Sequence, residues 1–91
     1  MDFKSKLTKS AAENNSLLCV GLDPDIDKIP DQFKQSDSPL FDFNKSIIDA
    51  TADLVCAYKP NSAFYESLGE KGITQLKQTC DYILEKLPDV P

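Results

Sequence analysis

The sequence predicts an α/β fold in which parallel strands alternate with helices. Two short apolar runs, over residues 17–23 and 54–59, have the length and composition of strands buried in a parallel sheet. Three other stretches, at residues 2–13, 39–52 and 70–87, repeat their apolar side chains with helical spacing. The order helix, strand, helix, strand, helix is typical of βαβ units with right-handed crossovers.

The first helix and the first strand follow each other closely along the chain. The helix prediction depends on apolar side chains at every fourth position, namely Phe3, Leu7 and Ala11. The strand ends at Asp23, because Pro24 has no amide hydrogen to give to a strand ladder. Gly21 inside this strand indicates a close approach by backbone or ligand.

A polar connection spans residues 24–38, and a turn within it is predicted to pack back on the body of the protein. The apolar residues of that turn are Ile26, Ile29 and Phe33. Acids at positions 23, 25 and 27 alternate as at the start of a calcium loop. However, Lys28 and Lys34 occupy the positions where that loop needs Gly and Glu. We therefore predict that Asp25 and Asp27 form a solvated turn.

The second helix is predicted to begin with Ser38 as its N-cap and Pro39 at its first position. Its apolar face comprises Leu40, Phe43, Ile47, Ile48, Ala50 and Leu54. Pro60 ends the second strand, and residues 62–68 form a turn or short helix in which Phe64 and Tyr65 pack against the last helix. The core-facing stripe of that last helix is Ile73, Leu76, Cys80, Ile83, Leu84 and Leu87.

Composition narrows the class of protein. The 91 residues suffice for one domain, and the net charge of −5 argues against nucleic acid or an anionic membrane as a partner. No membrane-spanning run and no export signal is visible, so we expect a cytoplasmic protein whose three cysteines are reduced and buried. The chain has no histidine, which excludes a Ser-His-Asp site within it. It has no Cys-x-x-Cys pair either, so the usual zinc spacings are absent.

The two strands end in charged residues, and these are the candidate site. Asp23 closes the first apolar run and Lys59 closes the second. The carboxyl ends of parallel strands are where α/β proteins place catalytic and binding groups. A lysine at the end of an apolar strand needs a partner or must reach the rim, because burying an unpaired ammonium is costly. Together the two side chains could hold a polar ligand by charge-assisted hydrogen bonds.

These features resemble one family, the orotidine 5′-phosphate decarboxylases of the longer bacterial branch. The matching segments are LCVGLDPD at 18–25, FDFNK at 41–45, AYKPN at 57–61 and AFYE at 63–66. The resemblance covers nearly the whole chain. It implies a (β/α)₈ barrel, a TIM barrel, of which residues 1–91 are the N-terminal portion: the N-terminal helix and two βα units, truncated before the third strand.

The resemblance also implies a function. The family converts orotidine 5′-monophosphate to uridine 5′-monophosphate and CO₂, the last step of de novo pyrimidine synthesis, without metal or organic cofactor. Asp23 would bind a ribose hydroxyl, and Lys59 would contact the ribose and join the catalytic charge network. The complete enzyme would be a homodimer acting on a small nucleotide.

The family's Asp-x-Lys-x-x-Asp motif, which supplies the proton-donating lysine, is absent from these 91 residues. We therefore expect the chain by itself to be an inactive fragment. One alternative is a complete small α/β module that binds a ligand or partner without catalysis. Another is a different phosphosugar barrel such as an epimerase, which accounts for the alternation of elements but not for Lys59-Pro60-Asn61.

Overall fold

The computed structural model describes residues 2–91 and has the predicted alternation of helices and strands. Its elements are α1 (Phe3–Glu13), β1 (Cys19–Leu22), α2 (Asp31–Lys34), α3 (Pro39–Thr51), β2 (Ala57–Pro60), α4 (Ser62–Glu66) and α5 (Glu70–Lys86). The two strands form one parallel sheet. Helix α4 occupies the segment predicted as a turn or short helix, and α2 adds one helical turn within the polar connection.

Helix α1 attaches to the chain that leads into β2 through polar side chains. Ser10 Oγ donates to the carbonyl of Cys56 at 2.6 Å, and Asn14 Nδ2 donates to the carbonyl of Val55 at 2.8 Å. Ser16 Oγ donates to the carbonyl of Leu54 at 2.6 Å. Helix α1 and the turn after it thus provide hydrogen-bond donors to three consecutive carbonyls, and the contact with the Cys56 carbonyl is buried.

The main hydrophobic core lies between one face of the sheet and the helices α3 and α5. Its buried members are Leu22, Ile48, Val55, Tyr58, Ile83 and Val90. A second cluster lies beneath α2 and α4 and comprises Ile29, Leu40 and Tyr65. Ile26 and Phe33 pack against this second cluster, which confirms that the polar connection folds back on the body.

The first strand is shorter and less buried than predicted. It begins at Cys19, so Leu17 and Leu18 precede the ladder, and Leu17 is 93% exposed. The helices α3 and α5 pack on one face of the sheet. Leu22 and Tyr58 lie on that covered face, whereas Gly21 lies on the other. The expectation of a fully buried strand was therefore wrong for β1.

The buried face of α5 is more polar than predicted. Its buried residues are Gly72, Gln75, Thr79 and Ile83. Ile73 and Leu84 are exposed, as is Cys80, so the predicted core-facing stripe is wrong for these three positions. Helix α3 and helix α4 pack along the neighbouring face of α5 instead, and there they bury polar groups that hydrogen-bond to one another.

Three smaller predictions also needed correction. Leu54, predicted on the apolar face of the second helix, is exposed and lies between α3 and β2, which begins only at Ala57. Cys56 is buried, but Cys19 and Cys80 are exposed free thiols, since they lie on faces that no element within residues 2–91 covers. Ser38 is the N-cap residue of α3, as predicted, but its side chain makes no capping hydrogen bond.

The chain after α5 returns to the sheet. Val90 is buried in the main core, and the Pro91 carbonyl accepts a hydrogen bond from the Tyr58 N–H at 2.9 Å. The last residues therefore lie beside β2. Among residues 2–91, no helix is both long enough and apolar enough to cross a membrane.

Candidate functional site

The candidate site lies at the carboxyl ends of β1 and β2. In the parallel register Gly21 is paired with Lys59, and Leu22 with Pro60. Asp23 and Asn61 follow these pairs directly. Because side chains alternate along a strand and paired residues share a face, Gly21 and Lys59 lie on the same exposed face of the sheet. Leu22 points the other way, into the core.

The carboxylate of Asp23 is held by two features of the strand ends. Its Oδ1 accepts a hydrogen bond from the main-chain N–H of Asn61 at 3.0 Å. Its Oδ2 lies over Gly21, where a Cβ atom would be only 3.2 Å away. Gly21 does mark a close approach, as predicted, but the group that approaches is the Asp23 side chain. The carboxylate itself stays exposed.

Lys59 is exposed and makes no ion pair within residues 2–91. It shares its sheet face with Gly21, above which the Asp23 carboxylate lies. The two predicted site residues are therefore neighbours across the ladder without neutralising each other directly. An acid and an ammonium arranged in this way can each contact a different polar atom of one ligand.

A buried polar network lies directly behind this edge of the sheet. The Tyr65 hydroxyl donates to the Leu22 carbonyl at 2.7 Å. Asn44 Nδ2 donates both to the Tyr65 hydroxyl at 2.8 Å and to Thr79 Oγ1 at 3.0 Å. Tyr65, Asn44 and Thr79 are fully buried, and Asn44 Oδ1 has no hydrogen-bond partner within residues 2–91. Burial raises the pKa of Tyr65 to about 12, because the charged phenolate cannot be solvated there.

A second polar contact in this region substitutes for the predicted helix cap. Gln75 Oε1, from α5, accepts from the N–H groups of Leu40 at 2.7 Å and Phe41 at 3.2 Å. These are among the amides at the start of α3 that have no partner inside the helix. Gln75 therefore does what the Ser38 side chain was expected to do.

Sequence reasoning missed Asn44 and Gln75 as structural residues, and it predicted the packing of Tyr65 but not its hydrogen bond to the Leu22 carbonyl. One signal was available for Asn44, because it lies four residues from both Leu40 and Ile48 and therefore shares their buried face. A polar residue on such a face requires hydrogen-bond partners. The turn of Asp25 and Asp27 was predicted correctly, since Asp25 Oδ1 accepts from the Asp27 N–H at 2.9 Å.

The grooves on the surface only partly coincide with the candidate site. A small groove beside Asp23 is lined by Pro24, Lys28 and Phe43. A larger and very open groove lies between α2 and α3, away from both strand ends, and includes neither Asp23 nor Lys59. The charged side chains that line this larger groove, Asp42, Lys45 and Asp49, all belong to α3, so the groove is separate from the strand-end site.

The fold and the strand-end charges define a parallel α/β protein with a polar candidate site at the carboxyl ends of its strands. No family model matches the chain. The curated orotidine 5′-phosphate decarboxylase of Cellvibrio japonicus is 52% identical over 93 residues, covering 100% of this chain and 33% of that protein. The one from Flavobacterium johnsoniae is 49% identical over 85 residues, covering 93% of this chain and 31% of that protein.

Solved structures give the same result. A crystal structure from Toxoplasma gondii, named as an orotidine-monophosphate decarboxylase, matches 99% of this chain and 29% of its own with a TM-score of 0.87 at 38% identity. The Plasmodium berghei orotidine 5′-monophosphate decarboxylase matches 99% of this chain and 42% of its own, with a TM-score of 0.75. At 24% identity, this second match supports the fold alone.

The chain is thus homologous to the orotidine 5′-phosphate decarboxylases, and it spans about one third of the length of the curated relatives that it matches. Its α/β fold, with two parallel strands, is that of part of a TIM barrel.

Proposed function

We propose that these 91 residues form part of an orotidine 5′-phosphate decarboxylase, which converts orotidine 5′-monophosphate to uridine 5′-monophosphate and CO₂. The observation that carries the proposal is an identity of about one half over the whole chain to proteins of that name. Asp23 and Lys59 lie at the carboxyl ends of neighbouring strands, and this placement gives the proposal a chemical basis.

Within this function, Asp23 and Lys59 would make up the ribose-facing part of the site. The Asp23 carboxylate can accept hydrogen bonds from a ribose hydroxyl, because Oδ2 is not engaged by a protein donor within residues 2–91. The Lys59 ammonium can donate to the ribose and extend a charge network toward the reacting ring. These roles come from the family resemblance, and the geometry is compatible with them.

The chemistry of the reaction also indicates which catalytic group residues 1–91 lack. Loss of CO₂ from the substrate leaves an electron pair at a ring carbon, and a preorganised cation must stabilise that charge and deliver a proton. By resemblance, the proton donor belongs to the Asp-x-Lys-x-x-Asp motif that these residues do not contain. We propose that residues 1–91 supply the first portion of the barrel, before its third strand, and do not catalyse the reaction alone.

The same resemblance suggests the compartment, oligomeric state and cofactor requirement of the complete enzyme. We propose a cytoplasmic enzyme of pyrimidine synthesis that is a homodimer in its complete form and needs no cofactor. The exposed free thiols of Cys19 and Cys80 support a reducing compartment. The net charge of −5 argues against nucleic acid and anionic membranes as partners.

A chimeric enzyme tests the proposal directly. Residues 1–91 would replace the matching third of the Cellvibrio japonicus decarboxylase, and turnover of orotidine 5′-monophosphate would be followed by absorbance. We expect activity in the chimera and none above background in the 91-residue chain. A folded, dimeric chimera without activity would count against the proposed function, whereas turnover by the 91 residues alone would refute the proposal that they do not catalyse the reaction alone.

A further inference from the structure

Helix α4 contacts the end of β1 at two points that lie on either side of the Leu22–Asp23 peptide bond. The Tyr65 hydroxyl donates to the Leu22 carbonyl at 2.7 Å. The main-chain N–H of Asn61, the N-cap residue of α4, donates to the Asp23 carboxylate at 3.0 Å. A helix of five residues therefore holds both the main chain before Asp23 and the side chain of Asp23.

The position of α4 is itself fixed from behind. Asn44 of α3 donates to the Tyr65 hydroxyl, and that hydroxyl is fully buried. On the other side, the main chain of Tyr65 lies against Gly72 of α5, where a Cβ atom would be 1.7 Å from the Tyr65 carbonyl oxygen. The N-terminal end of α4 is closed by Asn61 Oδ1, which accepts from the Ala63 N–H at 3.1 Å.

We propose that Tyr65 is a positioning residue for the Asp23 carboxylate, acting through the Leu22 carbonyl and through α4. The proposal rests on the proposed function for its catalytic consequence, because Asp23 matters to turnover only if it binds the ribose. Its structural part is independent of that function. Without the Tyr65 hydroxyl, the buried Leu22 carbonyl loses its donor, and the Leu22–Asp23 segment loses one of its two hydrogen bonds to the segment that runs from Asn61 to Tyr65.

The polar character of the network suits this role better than simple core filling. A phenylalanine would occupy the same volume and would need neither Asn44 nor Leu22 as partners. Instead, the chain retains a fully buried amide whose Oδ1 has no partner, which is a cost to stability. What this amide provides is a donor that fixes the orientation of the Tyr65 hydroxyl, and that hydroxyl fixes the end of β1.

The test uses the ¹⁵N-labelled 91-residue chain and follows the Asn61 amide resonance as the pH is lowered through the titration of carboxylates. Since the Asn61 N–H donates to Asp23, its shift reports the protonation of that carboxylate. We expect a large pH-dependent shift in the wild type and its loss in Asp23→Asn. In Tyr65→Phe we expect most of the shift to be lost.

The matched control is Tyr58→Phe, which removes another buried tyrosine hydroxyl. The Tyr58 hydroxyl contacts Thr51 Oγ1 at 2.8 Å and the Ile48 carbonyl, neither of which touches Asp23. This variant should keep the Asn61 titration. An unchanged Asn61 shift in a folded Tyr65→Phe chain would overturn the proposal, and so would an equal loss in Tyr58→Phe.

A second variant decides the question if Tyr65→Phe does not fold by circular dichroism. Asn44→Ala removes the donor to the Tyr65 hydroxyl but also removes the unpartnered Oδ1, so its net cost to stability is moderated. It should weaken the Asn61 shift in the same direction. A wild-type shift in Asn44→Ala would then overturn the proposal.

The catalytic consequence has its own readout in the chimera with the Cellvibrio japonicus decarboxylase. There, Tyr65→Phe should lower kcat/KM for orotidine 5′-monophosphate by about tenfold to hundredfold, because misplaced substrate-binding groups cost about that much. Tyr58→Phe should leave kcat/KM near the wild-type value. If the unmutated chimera is inactive, the proposed function fails while the Asn61 titration still decides the role of Tyr65. If Tyr65→Phe loses the Asn61 shift but keeps the wild-type kcat/KM, the catalytic consequence is refuted and the structural role of Tyr65 stands.

Discussion

Gly72 of α5 lies so close to the main chain of Tyr65 in α4 that a Cβ atom at position 72 would be 1.7 Å from the Tyr65 carbonyl oxygen and 2.7 Å from its carbonyl carbon. No real side chain tolerates such distances, and the opposing atoms are backbone, which cannot rotate away. Position 72 therefore requires glycine for helix packing, although glycine inside a helix costs stability by itself. The close approach brings Tyr65 to the end of β1.

Gly72→Ala is accordingly expected to destabilise the protein. Alanine would favour the helix by about 1 kcal/mol through propensity alone, but it forces α4 and α5 apart. We expect a net loss of about 1–3 kcal/mol in the free energy of unfolding, measured by urea denaturation. Thr74→Ala, at an exposed position on the same helix, should change it by less than about 0.5 kcal/mol. Unchanged stability in Gly72→Ala would show that the two helices are not packed as described.

Gly21→Ala is expected to affect the site rather than the stability. A Cβ atom at position 21 would be 3.2 Å from Asp23 Oδ2, and this neighbour is the end of a side chain that can move. The fold should persist while the Asp23 carboxylate moves by a few tenths of an ångström. The measurement is the Asn61 amide resonance of the 91-residue chain, which should shift. If that resonance and the chimera's kcat/KM both match the wild type, the Asp23 carboxylate is not held as the structure has it.

Lys59→Ala tests the proposed role of the second strand-end residue. In the chimera with the Cellvibrio japonicus decarboxylase, we expect turnover to fall by several orders of magnitude with the fold retained, because a preorganised charge near the substrate is lost. Lys71→Ala is the matched control, since its ammonium is exposed and forms no ion pair within residues 2–91. Near-normal turnover of a folded Lys59→Ala chimera would remove Lys59 from the charge network.

The alternation of helices and strands could be predicted because it depends on patterns within short stretches of sequence. Proline after each strand and the helical spacing of apolar residues fix where elements begin and end to within a few residues. Asp23 and Lys59 were found by the same local logic, as charges that close apolar runs. Their shared face follows from the register, which pairs Lys59 with Gly21, and no local pattern specifies that pairing.

The burial of individual side chains could not be predicted in the same way. Ile73 and Leu84 belong to a clear apolar stripe on α5, yet α3 and α4 pack on its neighbouring face. There, Gln75 caps α3 from a distant part of the chain, so its role depends on tertiary contact rather than on spacing. Leu17 is exposed and lies outside the strand ladder, which begins two residues later, at Cys19.

Ser10→Ala tests how α1 is attached to the chain before β2. The Ser10 hydroxyl is the donor to the buried Cys56 carbonyl, and its removal leaves that carbonyl without this partner. We expect a loss of about 1–3 kcal/mol in the free energy of unfolding, measured by urea denaturation. Ser67→Ala removes an exposed hydroxyl that donates only to the Phe64 carbonyl and should cost far less. Equal losses in the two variants would contradict the anchoring role of Ser10.

Stability is also expected to decline at alkaline pH because of Tyr65. Folding raises the pKa of Tyr65 from 10.0 to about 12, chiefly through burial, so the unfolded chain releases the phenolic proton first as the pH rises. The contribution of Tyr65 to the free energy of unfolding is fully present below about pH 10, and it is lost as the pH rises through the pKa of Tyr65 in the folded chain. Two pKa units correspond to about 2–3 kcal/mol.

Comparison of variants isolates this contribution from that of the lysines. Asp49 raises the pKa of Lys86 and Asp81 raises that of Lys77, so these ion pairs weaken in the same alkaline range. Urea unfolding at intervals between pH 8 and about pH 11.5 would give the pH dependence of each chain's free energy of unfolding.

The free energy of unfolding of Tyr65→Phe should be lower than that of the wild type at pH 8, because the Leu22 carbonyl loses its donor, and should then decline less steeply as the pH rises. Ser67→Ala carries no titrating group and should keep the wild-type slope. If the free energy of unfolding declines equally with pH in the wild type and in Tyr65→Phe, the Tyr65 phenol is not buried in the folded chain. Burial is what makes the folded chain hold the phenolic proton more tightly than the unfolded chain does.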